Sequence, residues 1–176
     1  MNWLTGGALG ETKRLIALLV DSTKRDSAAK ELIKLGADAV PALIDALQTQ
    51  DPGLLLSLQQ ILARIPSASP HLIKTLGNAH PILRGRAAEG FAMSKDKTAI
   101  PALLEALKGE YYTVRSRAAL ALGNIGDARV LPALYPLLKD KDDEVRMAAC
   151  TAIGKFRDPS TFDEITNVLL DDLKTR

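Results

Sequence analysis

The fold is decided by the stretch Val114-Arg115-Ser116-Arg117-Ala118-Ala119-Leu120-Ala121-Leu122-Gly123. It recurs 31 residues later as Val145-Arg146-Met147-Ala148-Ala149-Cys150-Thr151-Ala152-Ile153-Gly154, and Leu83-Arg84-Gly85-Arg86-Ala87-Ala88 opens in the same way. Small and aliphatic residues at this spacing predict a closely packed helix in each copy. Recurrence at a fixed period predicts a repeat architecture, in which each unit is one supersecondary element.

A second helical pattern lies between these copies. Five segments begin with a hydrophobic residue or serine and continue with proline or an equivalent at positions 41, 70, 101, 132 and 163. Leucine or isoleucine then recurs at helical spacing. Four of the five positions hold proline, which suits the first turn of a helix because its missing N–H is not needed there. Asp96, Asp127 and Asp158 come five residues earlier, where we expect turns or helix N-caps.

Together the two patterns predict an all-α protein with an α-α superhelix, a right-handed solenoid of about five antiparallel helix pairs. We expect a single domain over residues 1–176, because one pair cannot bury its apolar face without a neighbour. An N-terminal helix is predicted at about 10–20. The predicted repeats are 26–49, 54–77, 81–108, 112–139 and 143–172. Pro136 lies inside one predicted helix and should distort it.

The order of proline, aliphatic residues, acidic turn and Val-Arg-x-x-Ala-Ala resembles HEAT repeats. The turn Ala121-Leu122-Gly123-Asn124-Ile125-Gly126-Asp127 resembles the phycobilisome-lyase type of HEAT-like repeat. The resemblance implies a ladder between repeats, formed by an arginine fourteen residues after the proline and an acidic residue eight after it. The residues that match these positions are Arg84, Arg115, Arg146 and Asp140. Gly109 stands at one acidic position, so the ladder is predicted to be partial.

Composition excludes several classes of function. The 23 Lys+Arg and 21 Asp+Glu give a net charge of +2, which is too balanced to require a nucleic-acid partner. No apolar stretch is long enough to cross a membrane. Cys150 is the only cysteine, so no intramolecular disulfide is possible, and we expect a cytoplasmic, monomeric protein.

Residues suited to chemistry are few. Two histidines and one cysteine, without a His-Glu dipeptide or an H-x-x-x-H spacing, predict no metal site and no cofactor. Cys150 follows Ala148 and Ala149 on a helix face that we expect to point inward, as a small core residue. We therefore expect no catalytic residue and no enzymatic activity.

The resemblance implies that the second helices line the inner surface of the solenoid. Candidate partner-binding residues on these helices are His71, Lys74, Glu105, Lys108, Tyr135 and Lys139. Tyr111 and Tyr112 add an aromatic patch at one edge, and Arg86 and Arg117 are expected to lie beside the ladder without a partner in the fold. The sequence thus favours a non-catalytic scaffold for another protein. A bilin-lyase-type subunit, or a chaperone-like partner of a chromophore protein, stays open from the repeat type. A nucleic-acid backbone binder stays open if the basic residues form a local patch.

Overall fold

The computed structural model describes residues 3–78, 80–157, 159, 161–163 and 165–166. These residues form ten α-helices and no β-strand. The helices are α1 Trp3–Leu18, α2 Arg25–Leu35, α3 Val40–Ala46, α4 Pro52–Ala63, α5 Ser69–Leu76, α6 Pro81–Ser94, α7 Ile100–Ala106, α8 Tyr112–Ile125, α9 Leu131–Leu134 and α10 Asp143–Gly154. Short 3-10 segments lead into α3, α5, α7 and α9, and residues 161–163 and 165–166 are also helical. The all-α fold predicted from the sequence is confirmed.

Helix bounds follow the sequence patterns closely after residue 25. The N-terminal helix differs, because α1 begins at Trp3 and ends at Leu18, whereas the sequence predicts 10–20. Gly7 and Gly10 lie inside α1, so they do not end it. Most of the helix predicted near 160–172 lies outside the described residues.

Helix starts are set by proline and aspartate. Pro41, Pro101 and Pro132 occupy the first turns of α3, α7 and α9. Asp96 and Asp127 each accept a hydrogen bond from the backbone N–H two residues later, at the start of a 3-10 segment. The expected turns therefore form at both positions, and Asp158 lies outside the described residues.

The chain forms two compact units, residues 1–75 and 76–176. In the first unit, α1 packs against α2 and α3, and α4 packs against the same two helices. Fully buried leucines fill this core: Leu19, Leu32, Leu43 and Leu58. The expectation of one domain over the whole chain stays a prediction.

In the second unit, α8 lies between α6 and α10 and also contacts α7. Its core holds Phe91, Leu103, Leu122, Leu134 and Ile153, all with no exposed surface. The helices α8 and α10 approach closely at Gly123. A Cβ atom there would lie 2.6 Å from Ala152 Cα, so only glycine fits without a shift of backbone.

Pro136 distorts its helix, as the sequence predicts. The α-helix α9 has only four residues, and Tyr135–Lys139 continue as a 3-10 segment that packs against α10. The cause is the proline ring, which provides no N–H for an α-helical bond and collides with the carbonyl four residues earlier.

Candidate functional site

Arg115, at the start of α8, joins the loop before its own helix to the loop before α10. Its Nε and Nη2 donate to Asp140 Oδ2 and Oδ1, both at 2.8 Å, and Nη2 also donates to Asp142 Oδ2 at 2.7 Å. Its Nη1 donates to the carbonyl oxygens of Gly109 at 2.9 Å and Glu110 at 2.8 Å. All three guanidinium nitrogens thus donate hydrogen bonds, in the two-point geometry that suits a carboxylate.

Burial makes this pair structurally important. The side chains of Arg115 and Asp140 are only 8% and 11% exposed. The hydrogen bond from Arg115 holds the pKa of Asp140 below its ordinary value, although burial acts in the opposite direction. The same hydrogen bond raises the pKa of Arg115, again against burial. Both groups are therefore charged at neutral pH.

Arg84 occupies the same position on α6, but its acidic partners are missing. Positions 109 and 111 correspond to Asp140 and Asp142 after a shift of 31 residues, and they hold Gly109 and Tyr111. A Cβ atom at residue 109 would lie only 3.0 Å from Arg84 Nη2. Arg84 Nε is buried and has no hydrogen-bond partner within the described part of the chain. The guanidinium thus points at the place where an aspartate side chain would begin.

Arg146, at the start of α10, binds the loop that precedes its own helix. Arg146 Nη1 donates to the carbonyl oxygens of Asp140 at 2.8 Å and Lys141 at 3.2 Å, and its Nη2 pairs with Asp143. Arg146 therefore contacts its own loop, and the acidic position of the following repeat lies outside the described residues.

Arg25 was missed by the sequence reasoning. Its Nε donates to the carbonyl oxygen of Leu19, six residues earlier, at 2.8 Å. This is the same sequence separation that Arg115 and Arg146 show to their first carbonyl partners. The spacing Arg25-x-x-Ala28-Ala29 repeats that of Arg115-x-x-Ala118-Ala119, so the signal was present in the sequence.

Arg86 and Arg117 are not free, so that expectation is wrong. Arg117 Nε lies 2.7 Å from Glu89 Oε1, and the Arg117 side chain passes over Gly85 on α6. Arg86 also has an interaction within the fold, and burial lowers its pKa, assisted by the nearby charge of Arg117 and opposed by Glu89. The sequence did not show that Glu89 would meet a side chain from the next first helix.

The remaining candidates are divided between the two units. His71 and Lys74 are exposed on α5 in the first unit. In the second unit, Tyr135 is partly buried and has an interaction within the fold, whereas Lys139 is exposed.

The junction between α7 and α8 gathers the other candidates. Glu105 and Lys108 form an exposed ion pair of 2.8 Å at the end of α7. Tyr111 and Tyr112 begin the next helix, each 44% exposed. The junction also contains Gly109, so it lies directly beside Arg84.

Cys150 is exposed, which corrects the expectation of a core residue. The equivalent positions in the two preceding repeats, Ala88 and Ala119, are fully buried. They lie on α6 and α8, each of which has a following first helix packed against it. Among the described residues, no first helix follows α10.

Among the described residues, no three His, Cys, Asp or Glu side chains are close enough to hold a metal ion together. None of the described helices has the length and hydrophobicity needed to cross a membrane.

Solved structures that resemble the chain include the following two. One is the complex of CpcE and CpcF of phycocyanin lyase from Nostoc sp. PCC7120, with 28% sequence identity and a TM-score of 0.56. The match covers 85% of this chain and 66% of the matched chain in that complex. The other is human deoxyhypusine hydroxylase in complex with glycerol, with 23% identity, a TM-score of 0.55, and coverage of 67% of this chain and 43% of that one. The second likeness concerns the fold alone. This chain spans less than two thirds of either protein.

Comparison with curated protein sequences gave no significant match. The family model for the PBS lyase HEAT-like repeat matches residues 24–49, which include Arg25. The model for HEAT repeats matches residues 69–135 and 100–176. The two matches of the HEAT-repeat model together span more than half of the sequence. With the helix pairs and the Arg115–Asp140 pair, they show that the chain belongs to the HEAT-repeat family.

Proposed function

We propose that this protein is a non-catalytic binding module that holds another protein at the junction of α7 and α8. The observation that carries the proposal is the pair Tyr111 and Tyr112, each 44% exposed, which closely follows the exposed Glu105–Lys108 ion pair in the chain. Tyrosine supplies a large apolar area with a polar tip and few rotatable bonds, and it is enriched at the energetic centres of protein interfaces.

The distribution of the other charges supports the same proposal. Arg115, Asp140 and Asp142 bind one another, and Asp127 binds Arg129 at 2.7 Å. These groups hold loops and helix ends in place. A rigid framework that carries a few exposed aromatic side chains suits recognition, because little conformational freedom is lost on binding.

The Nostoc structure gives further support for a protein partner, since it is a complex of two proteins, CpcE and CpcF. It also favours a second candidate, a subunit related to phycocyanin lyase, because the identity of 28% extends over 85% of this chain. The test is to mix the purified protein with a free bilin and apo-phycocyanin. A shifted absorption band and chromophore attachment over many turnovers would support the lyase candidate and contradict a purely non-catalytic role.

The nucleic-acid alternative has lost its motivating feature. It required Arg86 and Arg117 as unpaired cations, but Arg117 pairs with Glu89 at 2.7 Å and Arg86 also has an interaction within the fold. We do not propose it further.

The binding module is tested by affinity capture from the native cell extract with chemical cross-linking. The test compares the wild type with the double variant Tyr111→Ala, Tyr112→Ala. Met147→Ala is the matched control, because Met147 is also exposed, at 66%, but lies on α10. We expect the same cross-linked partner with the wild type and Met147→Ala, and its loss with the double variant. Equal capture by all three proteins would contradict the assignment of this surface.

A further inference from the structure

We propose that Arg84, together with Gly109, Tyr111 and Tyr112, forms a receptor for one carboxylate side chain of a protein partner. We call this place the Arg84 notch. The inference rests on the proposed function and names the chemical group that the partner must supply, an exposed aspartate or glutamate.

The Arg115 site shows what a complete ladder position contains. There, Asp140 accepts from Nε and Nη2 at 2.8 Å, and Asp142 accepts from Nη2 at 2.7 Å. The Arg84 notch is the same position one repeat earlier, with a glycine and a tyrosine in place of the two aspartates. It therefore lacks both of the carboxylates that neutralise the equivalent arginine.

The Arg84 side chain nevertheless extends to the position of the missing aspartate. Its Nη2 points to within 3.0 Å of the place where a Cβ at residue 109 would stand. Its Nε, which in Arg115 donates to Asp140, is buried and has no partner among the described residues. A charged group that keeps a buried donor without an acceptor is unfavourable, so Arg84 gains from a carboxylate that supplies the missing opposite charge.

The surroundings of the notch favour an acidic protein segment. Tyr111 and Tyr112, at the start of α8, are exposed and closely follow Gly109 in the chain, so they provide apolar contact area near the notch. Arginine and tyrosine are among the residue types enriched at interface hot spots. Arg84 is only partly buried, and its Nη2 lies beside Gly109, where a carboxylate would form a charge-assisted hydrogen bond that gives both energy and orientation.

The test observes Arg84 directly by following its Nε–Hε signal in ¹⁵N NMR spectra of the full-length protein. The probes are acetylated hexaglutamate, acetylated hexaglutamine and a single-stranded oligonucleotide, each titrated at the same ionic strength. Gly109→Asp places a carboxylate of the chain itself at the notch. Gly109→Asn adds a side chain of the same shape without the charge.

With the wild type we expect a saturable shift of the Arg84 signal with hexaglutamate and none with hexaglutamine. Gly109→Asp should bind hexaglutamate at least about tenfold more weakly than Gly109→Asn, because the site is already neutralised. The proposal is overturned if hexaglutamate gives no saturable shift, if both variants bind it equally, or if only the oligonucleotide binds.

Failure of this proposal can be separated from failure of the proposed function. If the cross-linked partner binds Gly109→Asp as well as it binds the wild type but is lost with the double tyrosine variant, the binding module stands without the Arg84 notch. If the double tyrosine variant also retains the partner, the proposed surface itself is wrong.

Discussion

Arg115 on α8 and Asp140, 25 residues later, share two parallel hydrogen bonds of 2.8 Å within a nearly buried site. Removal of one charge from such a pair leaves the other buried without compensation. We expect Asp140→Asn to lower the free energy of unfolding by about 2–3 kcal/mol, because Asp142 keeps part of the interaction. Urea denaturation followed by circular dichroism measures this loss. Asp142→Asn is the comparison, since Asp142 is 34% exposed and should cost less. An equal or larger loss for Asp142→Asn would contradict the expectation that Asp140 contributes more to stability than Asp142.

The same pair makes stability depend on pH. The hydrogen bond from Arg115 holds the pKa of Asp140 in the folded protein below its ordinary value. The folded state therefore binds fewer protons than the unfolded state near the ordinary pKa of about 4. The stabilisation is fully present above that pH and is lost as the pH falls through the lower, folded pKa.

We expect the free energy of unfolding of the wild type to decrease more steeply than that of Asp140→Asn as the pH is lowered from 7 to 3. Urea titrations at several pH values measure both curves, which should approach each other toward the acidic end. Parallel curves would show that Asp140 does not contribute to acid sensitivity.

The sequence predicted those features that depend on residues within one repeat. The period located the helices, the proline positions marked the first turns of α7 and α9, and Pro136 marked the 3-10 segment. The contact between Arg115 and Asp140 also followed the expected spacing, because a ladder repeats with the period of the stack.

The features that the sequence could not predict depend on which neighbouring helix covers a given face of a helix. The pattern assigns Cys150 to the same face as Ala119, but only Ala119 lies on a helix with a following first helix among the described residues. Likewise, Arg117 pairs with Glu89 while its side chain lies over Gly85 of α6, where a Cβ would collide with the guanidinium. Such contacts are set by distances between helices, which a one-dimensional pattern does not contain.

Gly123 tests the close packing of α8 and α10. A Cβ at this position would lie 2.6 Å from Ala152 Cα and 2.7 Å from its Cβ, so the helices must separate to accept alanine. We expect Gly123→Ala to lower the free energy of unfolding by about 1–3 kcal/mol through overpacking. Gly154 is the matched position one repeat later, and a Cβ atom there would have no neighbour within 4 Å in the described part of the chain. Gly154→Ala should be neutral or stabilising, since alanine loses less backbone entropy in a helix. Equal destabilisation by both variants would contradict the close contact between Gly123 and Ala152.

Gly109 tests whether the partial ladder can be completed. Both Gly109→Asp and Gly109→Asn must fit a Cβ 3.0 Å from Arg84 Nη2 and 3.2 Å from the Ala106 carbonyl oxygen, so they share the same steric cost. Only the aspartate supplies a charge for Arg84. We expect Gly109→Asp to exceed Gly109→Asn in free energy of unfolding by about 1–2 kcal/mol at pH 7. The difference should disappear at acidic pH, where the carboxylate is protonated. If the two proteins unfold at the same urea concentration at pH 7, Arg84 does not reach the introduced side chain.

Cys150 provides a direct measurement of the exposed face of α10, because it is the only cysteine in the chain. An exposed thiol reacts with Ellman's reagent without unfolding, so the native protein should be labelled at nearly the rate found in denaturant. The matched variant carries Cys150→Ala together with Ala119→Cys, which moves the thiol to the equivalent position on α8, where the native alanine is fully buried. That thiol should be labelled only when the protein opens, and its protection should fall as urea is added. Protection of Cys150 in the native wild type would mean that another part of the chain, or a second molecule, covers α10. Rapid labelling at residue 119 would mean that α8 and α10 are not stably packed.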